Sequence, residues 1–566
     1  MTTKGSSSSS IQSTGKSNGD NDNLLASTAK GAYYLVLLQF SSRMLTFGLH
    51  QIVLRYTTAE TLGIASVKLE LLLSTILFIS REGFRCALLR GGSEESGKGR
   101  SDKDKEEEEQ KITNLAYIPT AIGLITTLLA CGYYLSTIDD AASFKYPYYR
   151  TSVILFGAAA FAELLVEPLF VLAMNRLYFS LRVSVEGVAV LVRCFITFGM
   201  TLLGATSSSH NAYGVLAFAV AQMAFGLIMM VGYLAFFLNK VRSKQMKTSA
   251  LFPQKLKDSV GRSYYFDKTM LNLASTLTKQ SLLKHVLTEG DKMLISAICS
   301  DNDQGIYAFV VNYGSLIVRI LFQPLEETTR TLFSKLLGNG EKSKSNMQTA
   351  AKVLLMTLRG HILLGLLFIC FATNYTATLI DLLVGKEWSM HRNAPAVLSV
   401  YCMYVPIMGV NGVTEGFVQA VATKKDLSRL SYYMIGFSAC FMIAGYFFMH
   451  VLDLGAIGLV LANMVNLSIR IAYSWNYISC YFGDTVSQLR IRNWFPSMMT
   501  MAAFIVAWSI TRWSEQTIGW DTLQQKAIHI GIGGLCSLIV AGITAWKEKT
   551  WIHDMKQLAR SRKKEE

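Results

Sequence analysis

Residues 61–85 read "TLGIASVKLELLLSTILFISREGFR", and residues 303–330 read "DQGIYAFVVNYGSLIVRILFQPLEETTR". With Leu77-Phe78 aligned on Leu321-Phe322, Glu82 falls on Glu326, and Gly63-Ile64 and Gly305-Ile306 open the two segments. A second pair, "YGVLAFAVAQM" (213–223) and "LGAIGLVLANM" (454–464), aligns Gly214 on Gly455, Ala221 on Ala462 and Met223 on Met464. Both pairs share an offset of roughly 240 residues, the signature of an internal repeat. The chain is expected to hold two copies of one unit.

Composition tells the nature of the unit. Of 566 residues 51% are hydrophobic, only 8 are proline, and mean hydropathy is +0.32, too apolar for a soluble chain of this size. Stretches of about 20 mainly apolar residues, long enough to cross hydrocarbon as helices, recur about fourteen times from 31–54 to 526–546. The expected fold is an all-α polytopic membrane protein.

The repeat offset spans six crossings, an even number, so the copies share one orientation and are parallel. The expected organisation is a tail (1–30), an N-lobe (31–238), a basic linker (239–265), a C-lobe (266–480), two further helices (481–548) and a basic tail (549–566). Two pseudo-symmetric six-helix lobes plus two C-terminal helices describe a transporter, with its substrate path between the lobes.

The net charge of +15 suggests nucleic acid until the loops are compared. With the N-terminus inside, loops on that side collect about 37 Lys and Arg, the opposite loops about 7, and the spans about 10. The charge is topological, and both termini are expected in the cytosol. Lys563 and Lys564, third and fourth from the end, resemble a dilysine signal for retrieval to the endoplasmic reticulum. The first thirty residues lack an apolar signal region. Asn374-Tyr375-Thr376 is a formal glycosylation sequon, expected to be unused because it lies close to a helix end.

Nine scattered cysteines without a CxxC pair indicate neither a disulfide framework nor a zinc site. There is no GxSxG, P-loop or HExxH motif. No enzyme and no cofactor are expected; Asp139-Asp140 reads as solvated charge on a short loop.

Charges within the spans carry the functional reading, because each costs about 3 kcal/mol or more unless it faces a bundle interior or wet cavity. Arg43 lies on a polar stripe of the first span, Lys68 in the second, and Lys284, Glu289 and Lys292 in the seventh. Arg319, Gln323, Glu326 and Arg330 recur at helical spacing in the eighth, Asn411, Glu415 and Gln419 in the tenth, and Arg470 lies in the twelfth. We expect Arg43, Lys68, Lys284, Glu289, Lys292, Arg319, Gln323, Asn411, Glu415 and Arg470 to line a net-positive cavity suited to an anion. Arg81, Glu82 and Arg85, with Glu326, Glu327 and Arg330 in the other copy, form two symmetry-related clusters expected to gate it from the cytosol. Glu82 is placed to pair with Arg85.

"LLSTILFISREGFRCALLR" (72–90), "KQSLLKHVLTEGDK" (279–292), "VVNYGSLIVRILFQPLEETTR" (310–330) and "NGVTEGFVQAVATKKD" (411–426) together resemble the signature segments of the Rft family, eukaryotic oligosaccharide translocation proteins of the endoplasmic reticulum. The resemblance runs from about residue 31 to about 480 and is weak in the last two helices. It implies the fold of the multidrug/oligosaccharidyl-lipid/polysaccharide exporter superfamily. It also implies a role in asparagine-linked glycosylation, moving the dolichol-diphosphate intermediate with five mannoses and two N-acetylglucosamines from the cytosolic to the lumenal leaflet. The alternative is a non-transporting accessory or scaffold of that pathway. The partners so implied are the dolichol-diphosphate oligosaccharide, membrane lipids and other N-glycosylation components, without nucleic acid. Motif membership extends to Arg43, Arg55, Arg81, Glu82, Arg85, Lys284, Glu289, Gln323, Glu326, Glu327, Asn411 and Glu415, without saying which touch substrate.

Overall fold

The computed structural model describes residues 45–94, 102–176, 178–206, 213–257, 263–337, 344–390, 393–483 and 491–554. After a helical stretch at 45–56 (α1), the long helices are α2 Ala59–Leu89, α3 Glu106–Thr137, α4 Tyr149–Asn175, α5 Ser180–Thr206, α6 Gly214–Arg242, α7 Lys268–Ile298 and α8 Asp301–Ser334. They continue with α9 Lys344–Leu383, α10 Ala394–Val421, α11 Lys425–Val451, α12 Gly455–Phe482, α13 Met498–Thr517 and α14 Leu523–Lys547. Among the described residues eleven of these are long and apolar enough to cross a membrane. Neither α7, interrupted by Lys279, Lys284, Glu289, Asp291 and Lys292, nor α13 or the short α1 is among them.

The repeat is visible in the packing. Helix α4 packs on α3 and α6, and α6 on α5; likewise α10 packs on α9 and α12, and α12 on α11. Both α2 and α8 widen into a π-helical turn, at Phe78–Glu82 and at Val318–Phe322, again roughly 240 residues apart. Such a turn shifts the angular register of the side chains beyond it and is frequent at functional positions. Pro324, which has no N–H to give the helix, comes directly after the second turn.

Each lobe's first helix lies across the other lobe. On α1, Gln51 accepts from the Tyr313 hydroxyl of α8. Trp388 Nε1 donates to the Leu54 carbonyl at 2.9 Å, and Arg55 donates to the carbonyls of Leu382 and Leu383 at 3.1 and 2.9 Å. On α7, His285 hydrogen-bonds Thr75 of α2 at 3.0 Å and stacks on Phe78. Gly83 packs so closely on the Thr278 backbone that a Cβ there would have no room. The same exchange occurs twice, as expected of two parallel copies.

The segment between the lobes is strapped to α3. Asn114, fully buried, donates to the carbonyls of Gln254 and Tyr265, both at 2.7 Å, and accepts from the Gln254 amide at 2.9 Å. Gln110 and Tyr117 hold the carbonyls of Phe252 and Leu251. A short hairpin, β1 Leu256–Lys257 against β2 Ser263–Tyr264, leads to Asp267, which caps α7 by accepting from the Met270 amide.

Helices α13 and α14 pack on each other, α13 packs on α9, and α14 touches α9 where Tyr375 stacks on His529 and donates to its carbonyl at 2.7 Å. Buried Asn374 donates to the Trp508 carbonyl at 3.1 Å and to Thr511 at 2.8 Å, and Lys526 pairs with Asp381. The Asn374 sequon is therefore enclosed by α13. Lys563 and Lys564 lie outside the described residues.

Candidate functional site

The N-terminal ends of α2 and α8 meet. A Cβ on Gly63 would enter the space of the Asp301 carbonyl, and one on Gly305 that of the Ala59 carbonyl, so only glycine permits this approach. Beside the crossing, Lys68 of the N-lobe pairs with Asp301 of the C-lobe at 2.6 Å. Ser300 caps α8 and accepts from the Asp303 amide, which places Asp301 in the first turn. Lys68, expected in the substrate cavity, instead ties one lobe to the other at this seam.

At the opposite ends of α2 and α8 each lobe holds a polar cavity. The N-lobe cavity, about 120 Å³, is lined by Arg81, Arg85, Glu163, Val166, Glu167, Phe170, Glu186, Phe225 and Met229. Arg85 grips Glu167 with both Nε (2.7 Å) and Nη2 (2.5 Å), while Arg81 lies 3.4 Å from Glu163 and 4.0 Å from Glu167. Glu167 is 1% exposed and Glu163 9%. Gln222 of α6 bonds Glu163 at 3.2 Å and Arg193 of α5 at 3.0 Å, so four helices share one network. Sequence reading missed Glu163 and Glu167. Their signal was present, two acids one turn apart in an apolar span just before Pro168, where α4 breaks.

The strong bidentate partner of Arg85 is thus Glu167, across helices, rather than Glu82, whose side chain points toward Cys86. A flat guanidinium fork matches a carboxylate edge-on, and Phe170 covers the Arg85 guanidinium at 3.9 Å.

The C-lobe cavity is larger, about 310 Å³, and is lined by Gln323, Glu326, Glu327, Arg330, Asn411, Gly412, Glu415, Gly416 and Gln419. Residues expected in two places, cavity (Gln323, Asn411, Glu415) and gate (Glu326, Glu327, Arg330), occupy one. The lining carries three carboxylates against one guanidinium. Arg470 reaches in from α12 to Glu415 at 2.5 Å, and Arg330 donates to Gln419 at 3.1 Å. Asn411 donates to Glu415 at 3.2 Å.

The other expected cavity residues are dispersed. Lys292 pairs with Glu289 on its own helix at 2.8 Å, and neighbouring Asp291 accepts from Tyr307 at 3.0 Å. Arg319 is exposed and donates to Ser315, one turn back on α8, at 2.5 Å. Arg43 lies outside the described residues, as does the side chain of Lys284. The expectation of a net-positive lining is corrected for the described residues. Lys68, Arg81, Arg85, Lys292 and Arg470 each have a carboxylate within 4.0 Å, because burying an uncompensated charge costs several kcal/mol.

Two parallel lobes, exchanged first helices and a seam at one end define a class, the multi-helix transporter fold. The fold resembles the solved structure of the lipid II flippase MurJ in an inward closed conformation, with a TM-score of 0.58 over 91% of this chain and 99% of that one at 13% identity. It also resembles an inward-facing MATE family multidrug transporter, with a TM-score of 0.53, 12% identity, and coverage of 78% and 96%. The family model described as Rft protein matches residues 27–558, and the chain belongs to that family. The Man(5)GlcNAc(2)-PP-dolichol translocation protein RFT1 of Xenopus tropicalis is 31% identical over 96% of this chain and 99% of its own length. The protein of that name from Yarrowia lipolytica is 35% identical over 87% and 75%. The chain is a multi-pass membrane protein, similar to proteins named for translocation.

Proposed function

We propose that the chain moves Man5GlcNAc2-PP-dolichol from the cytosolic to the lumenal leaflet of the endoplasmic reticulum membrane. The observation that carries this reading is the asymmetry of the lobe contact: α2 and α8 are sealed at their N-terminal ends by Gly63, Gly305 and the Lys68–Asp301 pair, while the polar cavities lie toward their C-terminal ends. The excess of Lys and Arg in alternate loops supports placing both termini, and the cavity end, in the cytosol. The expected lobe boundaries, 31–238 and 266–480, belong to the same proposal.

In this reading the glycan head group enters from the cytosolic side while the polyprenyl tail stays in lipid, and the lobes then rock to break the lumenal seam. Arg319, whose hydrogen-bond partner among the described residues is the neutral Ser315, is the α8 cation best suited to the diphosphate; Arg330 donates to Gln419 but lies beside Glu326 in an acidic lining. Arg81 and Arg85, already matched by acids, serve to hold α2 against α4.

The neutralisation of most cations favours a second reading, an accessory protein that binds the glycolipid without moving it. The test is the purified chain in vesicles carrying Man5GlcNAc2-PP-dolichol, read by accessibility of the glycan to a lectin or mannosidase on one side. Translocation above that of protein-free vesicles is expected. Binding without translocation selects the accessory role.

A further inference from the structure

The C-lobe cavity holds an unmet hydrogen-bond acceptor. Asn411 is 8% exposed and lines the cavity; its Oδ1 is itself enclosed and has no partner among the described residues, while its Nδ2 donates to Glu415. A buried acceptor left unpaired is costly, and its persistence asks for a ligand that donates. Of the other amides, Gln323 donates to Glu327 and Gln419 to Glu415, both at 3.3 Å, and Gln419 also accepts from Arg330 at 3.1 Å. Hydroxyl groups, which donate and accept, can replace such long contacts without loss.

Size separates a ligand from an ion. At about 310 Å³ the cavity sits at the lower end of the roughly 300–1,000 Å³ of small-molecule sites and holds about ten waters. A caged cation needs oxygens converging at about 2.3–2.6 Å, and among the described residues no group of three or more His, Cys, Asp or Glu could hold a metal. Glycine keeps part of the wall open. A Cβ on Gly412 would strike the Glu326 carboxylate, whereas one on Gly416 would meet only the Arg330 Cβ at 4.0 Å.

We propose that the cavity between α8 and α10 is a carbohydrate subsite that takes one or two sugar units of the lipid-linked glycan, with the Asn411 amide turning from its 3.2 Å contact with Glu415 so that the unpaired Oδ1 accepts from a sugar hydroxyl. The proposal rests on the glycolipid reading above and names the part of the substrate this lobe recognises. Amides, carboxylates and a guanidinium set around a space of that volume match the dense donors and acceptors of a pyranose.

The test uses the full chain in nanodiscs and the water-soluble Man5GlcNAc2 glycan, read by saturation transfer to the glycan protons. The wild-type chain is expected to give a signal that Asn411→Leu and Gly416→Met weaken at least tenfold, with melting temperatures kept near wild type. If Asn411→Leu fails to fold, Gly416→Ala, which has room, gives a smaller graded loss. Absence of signal with wild type, or equal signal from wild type and both glycine variants, overturns the subsite. So does radiolabelled sodium binding lost in Asn411→Leu while glycan binding persists. Wild-type protein that binds the glycan but fails to translocate the lipid in vesicles supports the subsite and overturns only the transport reading.

Discussion

Lys68 of the N-lobe and Asp301 of the C-lobe stand 2.6 Å apart at the seam where α2 and α8 meet. Each is about a quarter exposed, so the pair is shielded enough to matter and accessible enough to break. A charge-assisted contact of this kind contributes about 1.5–3 kcal/mol. Lys68→Glu alone is expected to lower glycosylation severalfold in cells lacking the endogenous relative, and Lys68→Asp combined with Asp301→Lys to recover much of it. Loss that the reversed pair does not relieve would remove this contact from the closing machinery.

The glycines at the same crossing act through shape. Gly305→Val places a side chain where the Ala59 carbonyl lies, and overpacking costs about 1–3 kcal/mol. A cysteine placed near the seam is expected to react with a lumenal thiol reagent much faster in Gly305→Val than in the parent. An unchanged rate would show that the seam does not need the close approach.

In the N-lobe, Glu167→Gln leaves Arg85 without its bidentate acceptor. Breaking a buried pair from one side costs about 3–5 kcal/mol, and Arg85→Gln should cost at least as much, since it leaves Glu167, 1% exposed, without its fork, whereas Glu167→Gln leaves an arginine that is a fifth exposed. The double variant is expected to melt above Glu167→Gln alone. Thermal unfolding in detergent of all three measures the coupling, and strictly additive losses would argue against it.

The strap on α3 depends on Asn114. Asn114→Leu removes three hydrogen bonds to the interlobe segment, at about 1 kcal/mol each or somewhat less. The expected outcome is faster proteolysis within 251–266 while the lobes stay intact. Equal cleavage of parent and variant would mean the strap is held elsewhere.

Asn374, enclosed by Trp508 and Thr511, is expected to carry no glycan. Endoglycosidase treatment should leave the mobility of the chain unchanged, and a shift abolished by Asn374→Gln would contradict the packing.

Helix content and the parallel repeat were legible from apolar run lengths and one shared offset; the matching of Glu82 with Glu326 remained an alignment of letters, since Glu326 lines the C-lobe cavity and Glu82 is not in the N-lobe lining. The first two properties are local or periodic, so a single strand of letters carries them. The identity of many polar residues to watch was legible for the same reason, since charge in an apolar span is conspicuous wherever it lies. Partnership was not. Arg85 belongs to Glu167 rather than Glu82, Lys68 to Asp301 rather than to a cavity, and Glu326 with Asn411 forms one chamber instead of a gate and a path. Those pairings join residues far apart in sequence. Only the packing of helices, with π-helical turns that rotate the side chains beyond them, decides which groups face each other and so which charges cancel.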